Sequence, residues 1–146
     1  MNLTGRPISI AYAILLAGCA WLAWRQMLGL GFAMGETAGG IGLSGDAFLI
    51  VTAISIAGLA LASLGSWTRW PFFSLIATLS LIGVLPMASI YFKQSLDVPI
   101  WHYNSPWVGA SEILAFVLDI AAIWLSWLRF RHLAHKSPPS TLPSQG

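Results

Sequence analysis

The chain has 146 residues, 57% of them hydrophobic and 8% charged, whereas an ordinary soluble domain is roughly 25% charged. Its formal charge of +2 comes from few groups, and no dense Lys/Arg cluster with interleaved aromatics is present, which argues against nucleic-acid binding. A single cysteine, Cys19, excludes an intramolecular disulfide and a Cys-rich metal framework.

Four apolar runs, each near the length of a bilayer span, occupy most of the chain and leave no room for a separate globular domain. The sequence therefore predicts an all-α integral membrane four-helix bundle over residues 1–130. Its helices are expected at about 8–24, 47–66, 72–92 and 106–130, and a disordered tail over 131–146.

The first run, Ile8 to Trp24, is about 17 residues long, near the lower limit for a span. Within it, Leu16-Ala17-Gly18-Cys19 resembles a lipoprotein signal-peptide lipobox. However, one cation precedes the run and the residues after Cys19 stay apolar, so an uncleaved first helix is expected. Between Arg25 and Asp46 fall seven of the fourteen glycines, at 29, 31, 35, 39, 40, 42 and 45. Glycine at that density lowers helix stability and predicts an external loop. A second reading extends the first helix through Gly31 and Gly35 before the chain turns.

In the second run, Gly58, Ala62 and Gly65 share one side and form a surface that another helix can approach closely. Thr52, Ser55 and Ser66 lie on a neighbouring, mildly polar face. A tight connection through Trp67 and Arg69 leads to Pro71, a favoured first-turn residue. The third run contains Pro86, which removes a backbone donor and predicts a kink. Lys93 to Ser105 is expected as a second external stretch, with Asp97 and the cluster Trp101, His102, Tyr103.

The fourth helix begins at Pro106. Steps of three and four residues stack Glu112, Ala115, Asp119, Ala122 and Ser126 on one small, polar face, while the rest of this helix is bulky and apolar. Ionisable groups at membrane depth are costly and usually face a protein interior or a wet cavity, so this stripe is the candidate functional feature. Asp119 is about 20 Å from Pro106 by helical rise, close to the middle of a core roughly 30 Å thick. It has no cation at matching depth. Glu112 lies only about 9 Å in, where the long side chain of Arg25 can reach it and orient the first helix against the fourth.

Orientation follows from the cations. With both termini cytoplasmic, Arg6, Arg69, Arg129, Arg131 and Lys136 are inside, and Arg25 and Lys93 are outside. The eight tryptophans fall in four pairs near the proposed helix ends, as amphipathic rings at headgroup level should. His102, His132 and His135 lie outside the apolar runs, so no helical histidine pair is available for a haem and no metal site is expected. No phosphate loop or nucleophile constellation is visible, so catalysis by the chain itself is not expected.

Arg25, Gly29 and Phe32 give R-x-x-x-G-x-x-F, and Gly58 to Arg69 reads G-L-A-L-A-S-L-G-S-W-T-R. Together with the length and the four runs, these resemble the DoxX-like membrane proteins, over the first two helices at most. The Lys that commonly follows the first motif is missing; Glu36 stands in that neighbourhood. The resemblance implies association with a quinone-linked oxidoreductase and makes Arg25 and Arg69 candidates for quinone or partner contacts. The expected function is a small accessory subunit of a larger complex in the inner (plasma) membrane, with no cofactor of its own and quinone as the one associated group. The alternative is a small proton-coupled transporter or channel that self-associates around Asp119.

Overall fold

The computed structural model describes residues 5–37, 45–97 and 106–136. These form four α-helices: α1 (Arg6–Thr37), α2 (Gly45–Gly65), α3 (Pro71–Asp97) and α4 (Pro106–Lys136). Three of them are long and apolar enough to cross a membrane, and α2 carries a shorter apolar stretch, Leu49–Gly65. Trp101, His102 and Tyr103, the glycines at 39, 40 and 42, and the tail at 137–146 lie outside the described residues, as do the side chains of Glu36, Asp46 and Asp97.

Three boundaries differ from the sequence expectation; helix α3 continues past Phe92 to Asp97, so 93–97 is helical instead of belonging to the connecting stretch expected at 93–105. Helix α1 does not stop near Trp24 but runs on to Thr37. Arg25, Gln26, Met27 and Leu28 are good helix formers, and the glycines that follow cost only about 1 kcal/mol each. Helix α4 likewise continues through Lys136, so 131–136 is helical instead of belonging to a disordered tail. Lys136 places positive charge in its last turn, where the negative end of the helix dipole favours it. Helix α3 passes through Pro86 without a break in assignment, and that ring faces outward.

Each helix packs against the next in the chain. α3 and α4 lie closest, α2 packs on both α1 and α3, and α1 and α4 keep a wider separation bridged by side chains. Glycines let α2 and α3 approach closely at defined points along their interface. A Cβ on Gly58 would meet Ser80 Oγ, one on Gly65 would enter the Phe73 ring, and one on Gly83 would meet Ser55 Oγ. Ala62, from the same face of α2, is fully buried. Gly18, by contrast, has nothing within 4 Å of a built Cβ. Gly58→Ala is therefore expected to destabilise the bundle by about 1–2 kcal/mol through overpacking. Gly18→Ala should stabilise it by a few tenths up to about 1 kcal/mol through helix propensity. Reversible unfolding of both variants in mixed micelles checks the contrast; equal effects would contradict the close approach at Gly58.

The distribution of polarity is the reverse of a soluble protein. Ile14, Ile54, Leu64, Trp21, Trp107 and Trp124 are each more than half exposed, whereas Gln26, Thr52, Ser74, Glu112, Asp119, Ser126 and Arg129 are buried. A contiguous apolar exterior of this extent is unfavourable in water and suits a hydrocarbon surround.

Candidate functional site: a polar seam between α1 and α4

The polar residues of α1 and α4 meet in one antiparallel register. Ser9 pairs with Arg129, Tyr12 with Ser126, Cys19 with Asp119 and Gln26 with Glu112. In every pair the two position numbers add to 138. Leu16 with Ala122 and Ala23 with Ala115 fill the same register between them, and all twelve residues are buried. On α1 these positions alternate in steps of three and four, so they form one stripe along the helix. From Ser9 to Gln26 the stripe is about 26 Å long by helical rise. Along the seam a long side chain of one helix meets a short one of the other, Tyr12 with Ser126 and Arg129 with Ser9, which joins two helices that stand apart.

The seam has a clasp at each end. At the first, Arg25 Nη2 donates to Glu112 Oε1 at 2.6 Å and to Ser111 Oγ at 2.9 Å. Gln26 Nε2 donates to the other oxygen of Glu112. The Tyr91 hydroxyl donates to the Gln26 carbonyl at 2.8 Å, which brings α3 into the same cluster. Phe92 stacks on Phe116 with ring centroids 4.4 Å apart, a contact between α3 and α4. Arg25 is 42% exposed and Glu112 only 7%, so the cation reaches in from the surface to a carboxylate that is already enclosed.

At the second clasp, Arg129 is 3% exposed. Its Nη2 donates to Ser9 Oγ at 3.2 Å and to the Ser66 carbonyl at 2.8 Å, and its guanidinium lies 4.7 Å from the centroid of the Tyr12 ring. The Ser66 carbonyl lies just past the last residue of α2, where backbone acceptors lack helical partners and the dipole favours a cation. Tyr12 donates to Ser126 Oγ at 2.8 Å and also lies within hydrogen-bonding reach of Ser74 on α3. One arginine thus ties α4 to α1 and α2. The sequence expectation counted Arg129 only as a cytoplasmic cation. The structure adds that it is an interior residue of the seam.

Midway between the clasps lies Asp119, 4% exposed, with the Cys19 thiol as its hydrogen-bonding neighbour. The Thr78 hydroxyl of α3 is engaged within its own helix, donating to the Ser74 carbonyl at 2.9 Å. The sequence signal for the Cys19 contact is the seven-residue spacing Tyr12, Cys19, Gln26, which matches Ser126, Asp119, Glu112 in reverse. Among the described residues, the buried side-chain polar atom with no hydrogen-bond partner is His132 Nε2, and no group of three or more His, Cys, Asp or Glu is placed to hold a metal.

The resemblance made two arginines candidates for outside contacts. Arg25 is engaged with Glu112, whereas Arg69 is exposed in the turn between α2 and α3. Comparison with known proteins finds no matching family model, and neither the curated proteins nor the solved structures give a match.

Proposed function

We propose that the chain is a multi-pass protein of the inner (plasma) membrane, both termini cytoplasmic, that serves as a non-catalytic accessory subunit of a larger membrane complex. The observation that carries this reading is the mutual engagement of the interior polar groups. Arg25 with Glu112, Tyr12 with Ser126, and Arg129 with Ser9 and Ser66 bind one another, and so fix the register of the helices instead of being presented to a solute. What the protein offers outward is an apolar, tryptophan-rich surface and the exposed Arg69. Such a surface fits lipid and a membrane partner, and the DoxX-like resemblance supports a quinone-linked redox complex as that partner. Purification of the tagged protein from its native membrane in mild detergent tests this. The expected outcome is a stoichiometric larger partner, with flavin or haem absorption if the partner is of the redox type. A colourless homo-oligomer would overturn it.

One observation favours the second reading, a proton-coupled transporter or channel that self-associates around Asp119. Its carboxyl sits at the centre of the seam with a thiol, a weak donor, as its neighbour. Asp119→Asn separates the two. If Asp119 only joins helices, the amide leaves assembly and any pH-dependent flux in proteoliposomes unchanged. If it carries protons, the flux is lost while the bundle remains folded.

A further inference from the structure

Between α3 and α4 a groove of about 450 Å³ follows the outside of the bundle, lined by Leu75, Leu79 and Ile82 on one wall and Ile120, Trp124 and Trp127 on the other. Thr78 also lines it, but its hydroxyl is turned to the Ser74 carbonyl, so the groove offers apolar atoms almost throughout. It begins beside Asp119, at the middle of the seam, and extends towards the Arg129 clasp. Arg131 lies one turn beyond Trp127 on the same face of α4, and Arg69 lies just before the start of α3; both are exposed. By helical rise, Ile120 to Arg131 is about 16 Å, close to half of a hydrocarbon core roughly 30 Å thick. The groove itself covers about 10 Å of this, from Ile120 to Trp127, and the step on to Arg131 brings the whole path to about the length of one leaflet.

The charge pattern selects the headgroup. Of the five carboxylates, Asp119 is at mid-seam, Glu112 belongs to the Arg25 clasp, and Glu36, Asp46 and Asp97 are placed at the opposite ends of α1, α2 and α3. The end where Arg69 and Arg131 stand also carries Arg6 and Lys136, and among the described residues it has no acidic side chain. We propose that this groove holds an acyl chain of an anionic phospholipid whose headgroup is bound by Arg131 and Arg69. A second groove of about 420 Å³, between α1 and α2, is lined by Ala17, Trp21, Trp24, Ala60 and Leu64. The cation at its Trp24 end, Arg25, is already tied to Glu112, and its Leu64 end has Arg6 and Arg69 nearby but not Arg131, which belongs to α4. This groove is an internal control. The inference requires membrane residence but does not depend on the accessory role.

The test uses the full chain in detergent, equilibrated with equal amounts of phosphatidylglycerol and phosphatidylcholine bearing the same acyl chains, with retained lipid counted by native mass spectrometry. The wild type is expected to retain phosphatidylglycerol over phosphatidylcholine by about threefold or more. Leu79→Trp and Ile82→Trp, whose side chains are 60% and 51% exposed and so can grow outward, should each lower that retention about threefold. The double variant Arg69→Gln, Arg131→Gln should retain both lipids equally, and Ala60→Trp in the control groove should behave as wild type. Equal retention of the two lipids by the wild type would overturn the proposal. So would unchanged phosphatidylglycerol retention in folded Leu79→Trp and Ile82→Trp. Should both of these fail to fold, an unchanged preference in the arginine double variant would overturn it instead.

Discussion

Glu112→Leu is expected to destabilise the bundle by about 2–3 kcal/mol. Removing one partner of a buried ion pair leaves the other charge uncompensated, at a cost of about 3–5 kcal/mol when both are enclosed. Here the remaining cation, Arg25, is 42% exposed and can turn to water or to headgroups, which reduces the penalty. The larger part of the loss then falls on Gln26, buried and left with no acceptor for its amide. Arg25→Glu should be similarly damaging, because it brings two carboxylates together at an enclosed site. The exchange Arg25→Glu, Glu112→Arg tests whether the pair acts as a pair, since it restores opposite charges across α1 and α4. It is expected to recover at least half of the loss seen in either single reversal. Unfolding by sodium dodecyl sulfate titration in mixed micelles measures these variants together with the single reversal Glu112→Arg, and strictly additive losses in the exchange variant would show that Arg25 and Glu112 do not interact.

The sequence was most legible where chemistry and periodicity coincide. The stack of Glu112, Asp119 and Ser126 on one face of α4 follows from helical spacing alone, and the reach of Arg25 to Glu112 follows from side-chain length and depth. Gly58 and Gly65 were readable as a close-approach face because a missing Cβ has no other use at that spacing. Helix ends were harder to place. Nothing in the glycine-rich stretch after Arg25 distinguishes a helix that tolerates Gly29 and Gly31 from a loop that exploits them, because a cost of about 1 kcal/mol per glycine is small beside the tertiary and solvent terms. The interior partners of Arg129 and Cys19 were illegible for a different reason. Both are placed by partners far away in the chain, Ser9 and Ser66 for the arginine and Asp119 for the thiol. A rule that counts cations near helix ends cannot tell a guanidinium at the surface from one folded back into the bundle.

Arg129→Ala is expected to cost about 3 kcal/mol, the largest single loss among these variants. The guanidinium is buried and supplies hydrogen bonds to the Ser66 carbonyl and the Ser9 hydroxyl. Bonds to a charged group contribute about 1.5–3 kcal/mol each, and truncation also leaves a cavity against Tyr12. Arg129→Lys should recover only part of the loss, since a single ammonium cannot reproduce the planar contact with the Tyr12 ring together with the two divergent bonds. Ser9→Ala, which removes one acceptor at 3.2 Å and leaves the stronger bond to Ser66, should cost at most about 1 kcal/mol. The ordering Ala worse than Lys at position 129, with Ser9→Ala mildest, distinguishes a clasp that closes the end of α2 from a buried charge that the fold merely tolerates. In the latter case an isosteric apolar residue, Arg129→Met, would match or exceed the wild-type stability. A clasp predicts instead that Arg129→Met loses most of what Arg129→Ala loses, because the Ser66 carbonyl is stranded in both. The two clasps stand about 26 Å apart along α1 by helical rise. The variants at Arg129 and Glu112 should therefore be additive within about 0.5 kcal/mol. Coupling well above that would mean that the whole seam, Asp119 included, opens as one unit.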